Sequence, residues 1–205
     1  MVPPDFELET ASSGIVAGID EAGRGPWAGP VVAAAVVLTV GRIPEGLDDS
    51  KKLSAKKRAL LYDQILAAAR IGVGHATVAE IDATNILAAS LQAMARAVAD
   101  LDIDIDLALV DGNQAPQLHC PVKTVVKGDS KSLSIAAASI IAKVTRDRIM
   151  TDLAASFPAF GWQNNAGYGT AQHAEALEIQ GVTLHHRRTF APVRKRIAKD
   201  SLATS

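Results

Sequence analysis

Thiols are nearly absent from this chain of 205 residues, in which Cys120 is the one cysteine. That excludes an internal disulfide and a cysteine-ligated zinc site, and the expected place of Cys120 is a small buried position. Aromatic residues are also sparse, at 4%, with Ala and Val filling the apolar positions. Each Trp or Tyr in a motif therefore carries more information than usual. No apolar run can cross a bilayer, because the longest, residues 31–40, falls well short of the roughly 20 residues a spanning helix needs. Residues 1–14 are polar and acidic, without the basic start and apolar stretch of a secretory leader. The expected location is cytoplasmic, with no membrane partner. Neither sign of charge is in excess: 21 Lys and Arg stand against 22 Asp and Glu, a net charge of −1. Such balance argues against indiscriminate coating of nucleic acid.

The basic residues that are present are unevenly placed. Lys51, Lys52, Lys56, Lys57 and Arg58 form one cluster, and Lys123, Lys127 and Lys131 a second. Residues 181–199 hold Arg187, Arg188, Arg194, Lys195, Arg196 and Lys199 without one acid. Any one cluster alone reads as a solvated face.

Hydrophobic periodicity predicts an α/β domain, a mixed sheet flanked by helices with a small helical C-terminal extension. Residues 15–20 and 31–40 read as strands joined by a Gly- and Pro-rich turn over 23–30. The second is apolar at nearly every position, as expected of a strand covered on both faces. Ser54 is the expected N-cap of a helix reaching about Ala69. A strand over 71–79, a helix over 80–101, and strands over 107–110 and 122–126 follow. A long helix over 131–155 has a middle of small residues that would let it lie close to the sheet. A loop over 157–169 and a helix over 171–180 precede the basic tail. Residues 14–199 are expected to form the folded domain, with 157–199 as its helical C-terminal part. Residues 1–13 and 200–205 are expected to be flexible.

Acidic residues fall where the buried segments end. Asp20-Glu21 closes the first strand, Asp111 the strand over 107–110, and Asp129 follows the strand over 122–126. Singly, Asp129 could cap the next helix and Asp111-Gly112 could be only a turn. Two adjacent acids ending an apolar strand are poorly explained by packing. If the four converge they repel, unless a cation neutralises them, and oxygen ligands of this kind suit Mg²⁺ or Mn²⁺. Gly23-Arg24-Gly25 follows the acidic pair directly. Such a loop lets backbone N–H groups approach a phosphate or sugar while the guanidinium adds charge.

At these residues the chain resembles bacterial ribonuclease HII. The likeness is carried by Asp20-Glu21-Ala22-Gly23-Arg24-Gly25-Pro26 with Ala28-Gly29-Pro30, by Asp49-Ser50-Lys51-Lys52-Leu53-Ser54, by Val110-Asp111-Gly112-Asn113, and by Lys127-Gly128-Asp129. It continues through residues 134–148, Gly167-Tyr168-Gly169-Thr170 with His173, and His186-Arg187-Arg188-Thr189-Phe190, spanning about 14–193. One departure is Trp27, where many members carry Leu, which should affect packing beside the loop and not the chemistry. The resemblance implies a ribonuclease H-like mixed five-stranded sheet and an endonuclease that cuts the RNA strand of RNA–DNA hybrids, including single ribonucleotides embedded in duplex DNA. It implies that Asp20, Glu21, Asp111 and Asp129 are the catalytic and metal-binding acids. It further implies that Gly23, Arg24 and Gly25 grip the ribonucleotide, and that Tyr168 packs on the following deoxyribose.

The expected reaction uses two divalent ions, Mn²⁺ or Mg²⁺, and leaves 5′-phosphate and 3′-hydroxyl ends. Asp20 is expected to bridge the ions. Lys51, Lys143, Arg146 and Arg187 are further candidates for contacts with the phosphates of the hybrid. Nothing in the sequence demands more than a monomer. Two alternatives share part of the pattern: a DNA nuclease or resolvase of the same fold, which would not require the Gly-Arg-Gly loop together with the Gly-Tyr-Gly block, and a non-catalytic hybrid-binding module, which would gain from losing negative charge beside phosphates.

Overall fold

A computed structural model describes residues 3–203. In chain order the elements are α1 (Glu7–Thr10), β1 (Val16–Ala22), β2 (Val31–Val37), α2 (Ala55–Ala68), β3 (Arg70–Ala76), α3 (Val78–Ala83), α4 (Ile86–Ala99), β4 (Leu107–Asp111) and β5 (Val122–Val125). A 3-10 turn (Gly128–Ser130), α5 (Leu133–Ser156), a second 3-10 turn (Pro158–Phe160), α6 (Trp162–Asn165), α7 (Ala171–Gln180) and α8 (Ala191–Ala203) complete the chain. The five strands form one mixed sheet in the order β3-β2-β1-β4-β5. β1–β2 and β2–β3 pair antiparallel, while β1–β4 and β4–β5 pair parallel.

The continuous apolar run of β2 is explained by cover on both faces. Val31, Ala33 and Ala35 face the cluster built on α3 and α4, and Ala34 and Val36 face the cluster built on α2 and α5. Side chains alternate along a strand, so each successive residue meets a different helical layer. The small residues Ala136, Ala137 and Ala138 of α5 bring that helix down onto the sheet. Gly18 of β1 belongs to the same contact, since a Cβ there would overlap the Ser134 backbone. The C-terminal elements have a core of their own, with Phe160, Trp162, Leu177 and Val193 packed on Met150 and Ala154 of α5 and on Ala28.

Several boundaries differ from the expected ones, each for a local reason. The helix expected over 80–101 is two helices. Thr77 and Glu80 form a capping box that starts α3 and ends the preceding strand at Ala76. Asn85 caps α4 through bonds from the Leu87 and Ala88 amides. Ser54 caps α2 as expected, accepting from the Lys57 amide at 3.2 Å. The long helix begins at Leu133 because Ser132 is its N-cap. The loop expected over 157–169 holds a 3-10 turn and a short helix.

The expectation of a flexible segment over 1–13 is corrected for its described part. The Asp5 carbonyl accepts from the Leu133 amide at 2.9 Å, and Glu9 accepts from the Ser132 hydroxyl at 2.6 Å and the Ser134 amide at 2.9 Å. This segment therefore braces the turn that carries Asp129. Residues 1–2 lie outside the described residues. At the other end α8 continues to Ala203, past the expected start of a flexible tail at 200, and residues 204–205 are outside the described residues.

Candidate active site

Strand parity brings two of the acids together. β1 and β4 run parallel with Ile19 beside Val110, so the next residues, Asp20 within β1 and Asp111 at the end of β4, lie side by side on the same face. The third arrives through a turn. Lys127 adopts a left-handed conformation, φ 56°, and the 3-10 turn that follows carries Asp129. Its position is pinned by the Gly128 amide, which donates to Asp111 Oδ1 at 2.7 Å. Carboxylate oxygens of Asp20, Asp111 and Asp129 then lie within 4.8 Å of one another.

Among the described residues none of these three acids makes a salt bridge. Burial pushes the Asp20 carboxyl well above the usual range, and the charges of Glu21 and Asp111 push it further. Asp129 is also raised, by burial first and then by the charges of Asp49 and Asp111. Burial would lower the Lys51 ammonium, but the surrounding Asp20, Asp49, Asp129 and Asp111 carboxylates hold it raised overall. An all-oxygen donor set with this surplus of negative charge fits a hard divalent cation. Glu21 lies outside the three-acid group and forms a 3.2 Å ion pair with Arg24. Burial raises its carboxyl, while Arg24 pulls the other way.

Beside the acids is a groove of about 430 Å³ lined by Glu21, Gly23, Arg24, Gly25, Ser50, Lys51, Ser139, Lys143 and Tyr168, with Arg146 at its floor. Tyr168 is 49% exposed, and a Cβ on Gly25 would stand 3.3 Å from its ring. Lys143 reaches the same groove while paired with Asp147 at 2.7 Å.

Arg146 and Arg187 require correction as phosphate contacts. They are 1% and 0% exposed, and their guanidinium donors are occupied by carbonyl oxygens. Arg146 donates to Pro30, Ala166 and Ala28. Arg187 donates to Gly29, Arg24, Gly23 and Pro30. The two cations sit behind the loop over residues 23–30 and draw its carbonyls inward. Gly23 has φ 97°, and a Cβ there would collide with Arg146, so only glycine meets both the backbone and the space requirement. Trp27 ties the two loops together: its amide donates to the Gly167 carbonyl at 2.9 Å, and its ring fills the space a Cβ on Gly169 would need. This agrees with the expected packing role.

Asp49 is a further acid at this site that sequence reasoning passed over, although it lies in the quoted Asp-Ser-Lys-Lys block. Its carboxylate lies close enough that its charge raises the Asp129 carboxyl. Ser139 was likewise read only as a small helix residue, and its hydroxyl accepts from the Ser50 amide at 3.1 Å.

The profile of the Ribonuclease HII family matches residues 17–193 of this chain. A ribonuclease HII of Gluconobacter oxydans is 56% identical over 205 residues, covering 98% of this chain and 99% of the relative. Among solved structures, the ribonuclease H2 of Pyrococcus horikoshii OT3 superposes with a TM-score of 0.77 at 30% identity, covering 90% of this chain and 98% of that one. A Bst-RNase HIII solved in complex with Mn²⁺ shares the fold, with a TM-score of 0.76 at 19% identity, covering 93% and 71%.

Proposed function

The chain belongs to the ribonuclease HII family, and from that premise we propose that it cuts RNA–DNA hybrids and DNA carrying single ribonucleotides at the groove beside Asp20, Asp111 and Asp129. It is a ribonuclease H, an enzyme that hydrolyses RNA in RNA–DNA hybrids. Its ribonuclease H-like catalytic unit is taken as residues 14–199. The observation that carries the site assignment is the convergence of three carboxylates within 4.8 Å without an ion pair to any of them.

Asp20, Asp111 and Asp129 would hold divalent cations, with Glu21 adding charge at the edge of the cluster. Two ions, Mg²⁺ or Mn²⁺, would supply an activated water and neutralisation of the leaving 3′-oxygen, so that cleavage gives 5′-phosphate and 3′-hydroxyl ends. The protein's own residues do the positioning. Carbonyls of the loop over residues 23–30 are turned inward onto Arg146 and Arg187, and the N–H groups of Gly23, Arg24 and Gly25 would face the ribonucleotide and its phosphates, while those of Trp27 and Gly29 are used within the fold. Arg24 adds charge at 50% side-chain exposure. Lys51 and Lys143 lie on the groove wall, where phosphates of the hybrid would pass. The exposed Tyr168 ring beside Gly25 offers a flat face for the deoxyribose that follows the ribonucleotide. Recognition of the 2′-hydroxyl is what separates RNA from DNA here.

The deciding experiment uses three labelled duplexes, one with a single ribonucleotide, one a uniform RNA–DNA hybrid and one all DNA, each with Mn²⁺, Mg²⁺ or chelator. Metal-dependent cleavage of the first two and none of the third is expected. Cleavage of all-DNA junctions would favour the resolvase reading, and binding without cleavage would favour the hybrid-binding module. Replacing Tyr168 by Ala should lower the preference for the single-ribonucleotide duplex by about tenfold, on the order of 1.4 kcal/mol, while leaving cleavage of the uniform hybrid less affected. Equal loss on both substrates would remove Tyr168 from the sugar-reading role.

A further inference from the structure

His173 and His186 occur in two of the sequence blocks above, and nothing in the proposed chemistry uses them. Both are buried, at 0% and 1% exposure, and their rings are joined by a 3.0 Å contact between the two Nε2 atoms. Aromatic rings enclose them: Phe160 lies edge-on to both, and Trp27 is 5.3 Å from His173.

The ends of this pair fix where its protons are. At one end His186 Nδ1 receives the Thr183 amide at 3.0 Å, and an amide can only donate. His186 must therefore carry its proton on Nε2 and donate it to His173 Nε2. That atom also receives the Trp162 indole N–H at 3.4 Å, so it too must be an acceptor. His173 then carries its proton on Nδ1, which donates to the Tyr168 carbonyl at 2.9 Å, and a carbonyl can only accept. The Thr183 hydroxyl fits the same direction, donating to His186 Nδ1 at 2.9 Å while accepting from the His185 amide at 3.2 Å. Every link runs one way, from Thr183 through the two imidazoles to Tyr168, with one proton on each ring. A second proton anywhere would set donor against donor.

We propose that His173, held by His186, is a positioning residue for ribonucleotide selection, fixing the Tyr168 carbonyl from inside so that the exposed ring stays against Gly25. The proposal rests on the reading of Tyr168 as the sugar-packing residue. The anchor acts on the backbone that aims the ring: the Tyr168 side chain itself projects to solvent, while Asn165 holds the Gly167 and Tyr168 amides and Trp27 holds the Gly167 carbonyl on the other side of the residue. The carbonyl has one other partner, the Thr170 amide at 2.8 Å. With the imidazole gone, the peptide after Tyr168 would be held on one side only.

The test compares His173→Leu, which has no donor, with His173→Asn, whose side-chain amide can donate from near the Nδ1 position. The readout is the ratio of kcat/KM for the single-ribonucleotide duplex to that for the uniform hybrid. His173→Leu should lower this ratio about tenfold, His173→Asn should restore most of it, and adding His173→Leu to Tyr168→Ala should change it no further, the signature of two residues acting through one contact. A His173→Leu that melts lower but loses rate equally on both substrates overturns the proposal. So does an additive effect in the double variant. If Tyr168→Ala itself leaves the ratio unchanged, the sugar-packing reading fails and the selectivity claim falls with it. The hydrogen-bond chain is checked separately by nitrogen-15 spectra of the unmodified protein, where His173 protonated at Nδ1 alone and His186 at Nε2 alone are expected. The opposite tautomers would overturn the chain whatever Tyr168 does.

Discussion

Two groups of buried charge flank the loop over residues 23–30, and they are built in opposite ways. In front, Asp20, Asp111 and Asp129 gather like charges and keep most of their lone pairs unfilled. Asp20 accepts the Glu21 amide and Asp111 the Gly128 amide, both at 2.7 Å, and neither has an ion pair. Behind, Arg146 and Arg187 spend their donors on carbonyls of the loop and its neighbours. A buried charge is tolerated only when something compensates it. The arginines are compensated from within the chain, so they give shape. The acids form no ion pair and have only the nearby Lys51 charge to draw on, so a bound divalent cation would complete their compensation.

That contrast is tested most severely at Asp20. Asp20→Asn should reduce turnover by on the order of 10³-fold or more, because it removes a carboxylate from the ion-holding set. The same change should raise the melting temperature of the metal-free protein at neutral pH. The sign follows from linkage: a carboxyl whose folded pKa lies above its ordinary value of 3.8 takes up protons on folding, so stability falls as pH rises from 3.8 through the raised folded value. Removing the charge removes that loss. Melting curves with chelator and with Mn²⁺ check both halves. Near-normal turnover of the variant in saturating Mn²⁺ would break the assignment.

Arg187 supplies the opposite arm. Arg187→Leu should cost about 3–5 kcal/mol, since it strands the carbonyls of Gly23, Arg24 and Gly29 without this donor, while Pro30 keeps its bond from Arg146. Chemical denaturation measures it. The slope of log binding constant against log salt should stay as it was, because a residue that touches no phosphate releases no counterion. A stable variant whose salt slope drops by about 1 would return Arg187 to the phosphate contacts and erase the distinction drawn here.

Legibility in the sequence followed the same division. β4 ended at the acid that interrupts its apolar run, β1 ran on through its acidic pair to Ala22, and the parallel register of the two strands sets Asp20 and Asp111 on one face. Asp129 could be read only as a strand-end acid, because its approach depends on the left-handed Lys127 and the Gly128 amide. Asp49 went unrecognised because a loop with no periodicity delivers it. The arginines were misread because charge is usually exposed. One signal was present: Ala142, Arg146 and Met150 recur at four-residue spacing on α5, which places Arg146 on the buried stripe of the helix. The docked segment over residues 5–10 offered too few apolar residues to announce itself, since polar bonds to α5 hold much of it.

The histidine pair sharpens the comparison with a milder effect. Burial first, and then the charges of His173 and His185, hold His186 down to about 3 against an ordinary value of 6.5. A histidine depressed on folding contributes stability that is complete above 6.5 and is lost as pH falls toward 3. The slope for one proton is no steeper than ~1.4 kcal/mol per pH unit. His186→Gln should flatten the melting temperature between pH 6.5 and 4 relative to the unmodified protein. An unchanged acid slope would mean that the pair is not the proton-sensitive part of the C-terminal core.

Glu80 and Arg96 are the control for both buried groups, because they form an ion pair at the surface, with side chains 32% and 42% exposed. Glu80 is held down to about 2, first by its hydrogen bond to Arg96 and then by the Thr77 amide. Its contribution is therefore present above 4.5 and is lost as pH falls toward about 2. Solvent screens most of the shift, so Glu80→Gln should cost only ~0.5 kcal/mol at pH 7. Glutamine can still accept the Thr77 amide in the capping box, which leaves the charge as the difference measured. The cost should vanish as pH approaches 2, where Glu80 and its replacement are both neutral. A cost of several kcal/mol would mean that an exposed pair on α3 and α4 is worth as much as a buried arginine, and burial would then not be what separates charge that shapes the site from charge that decorates the surface.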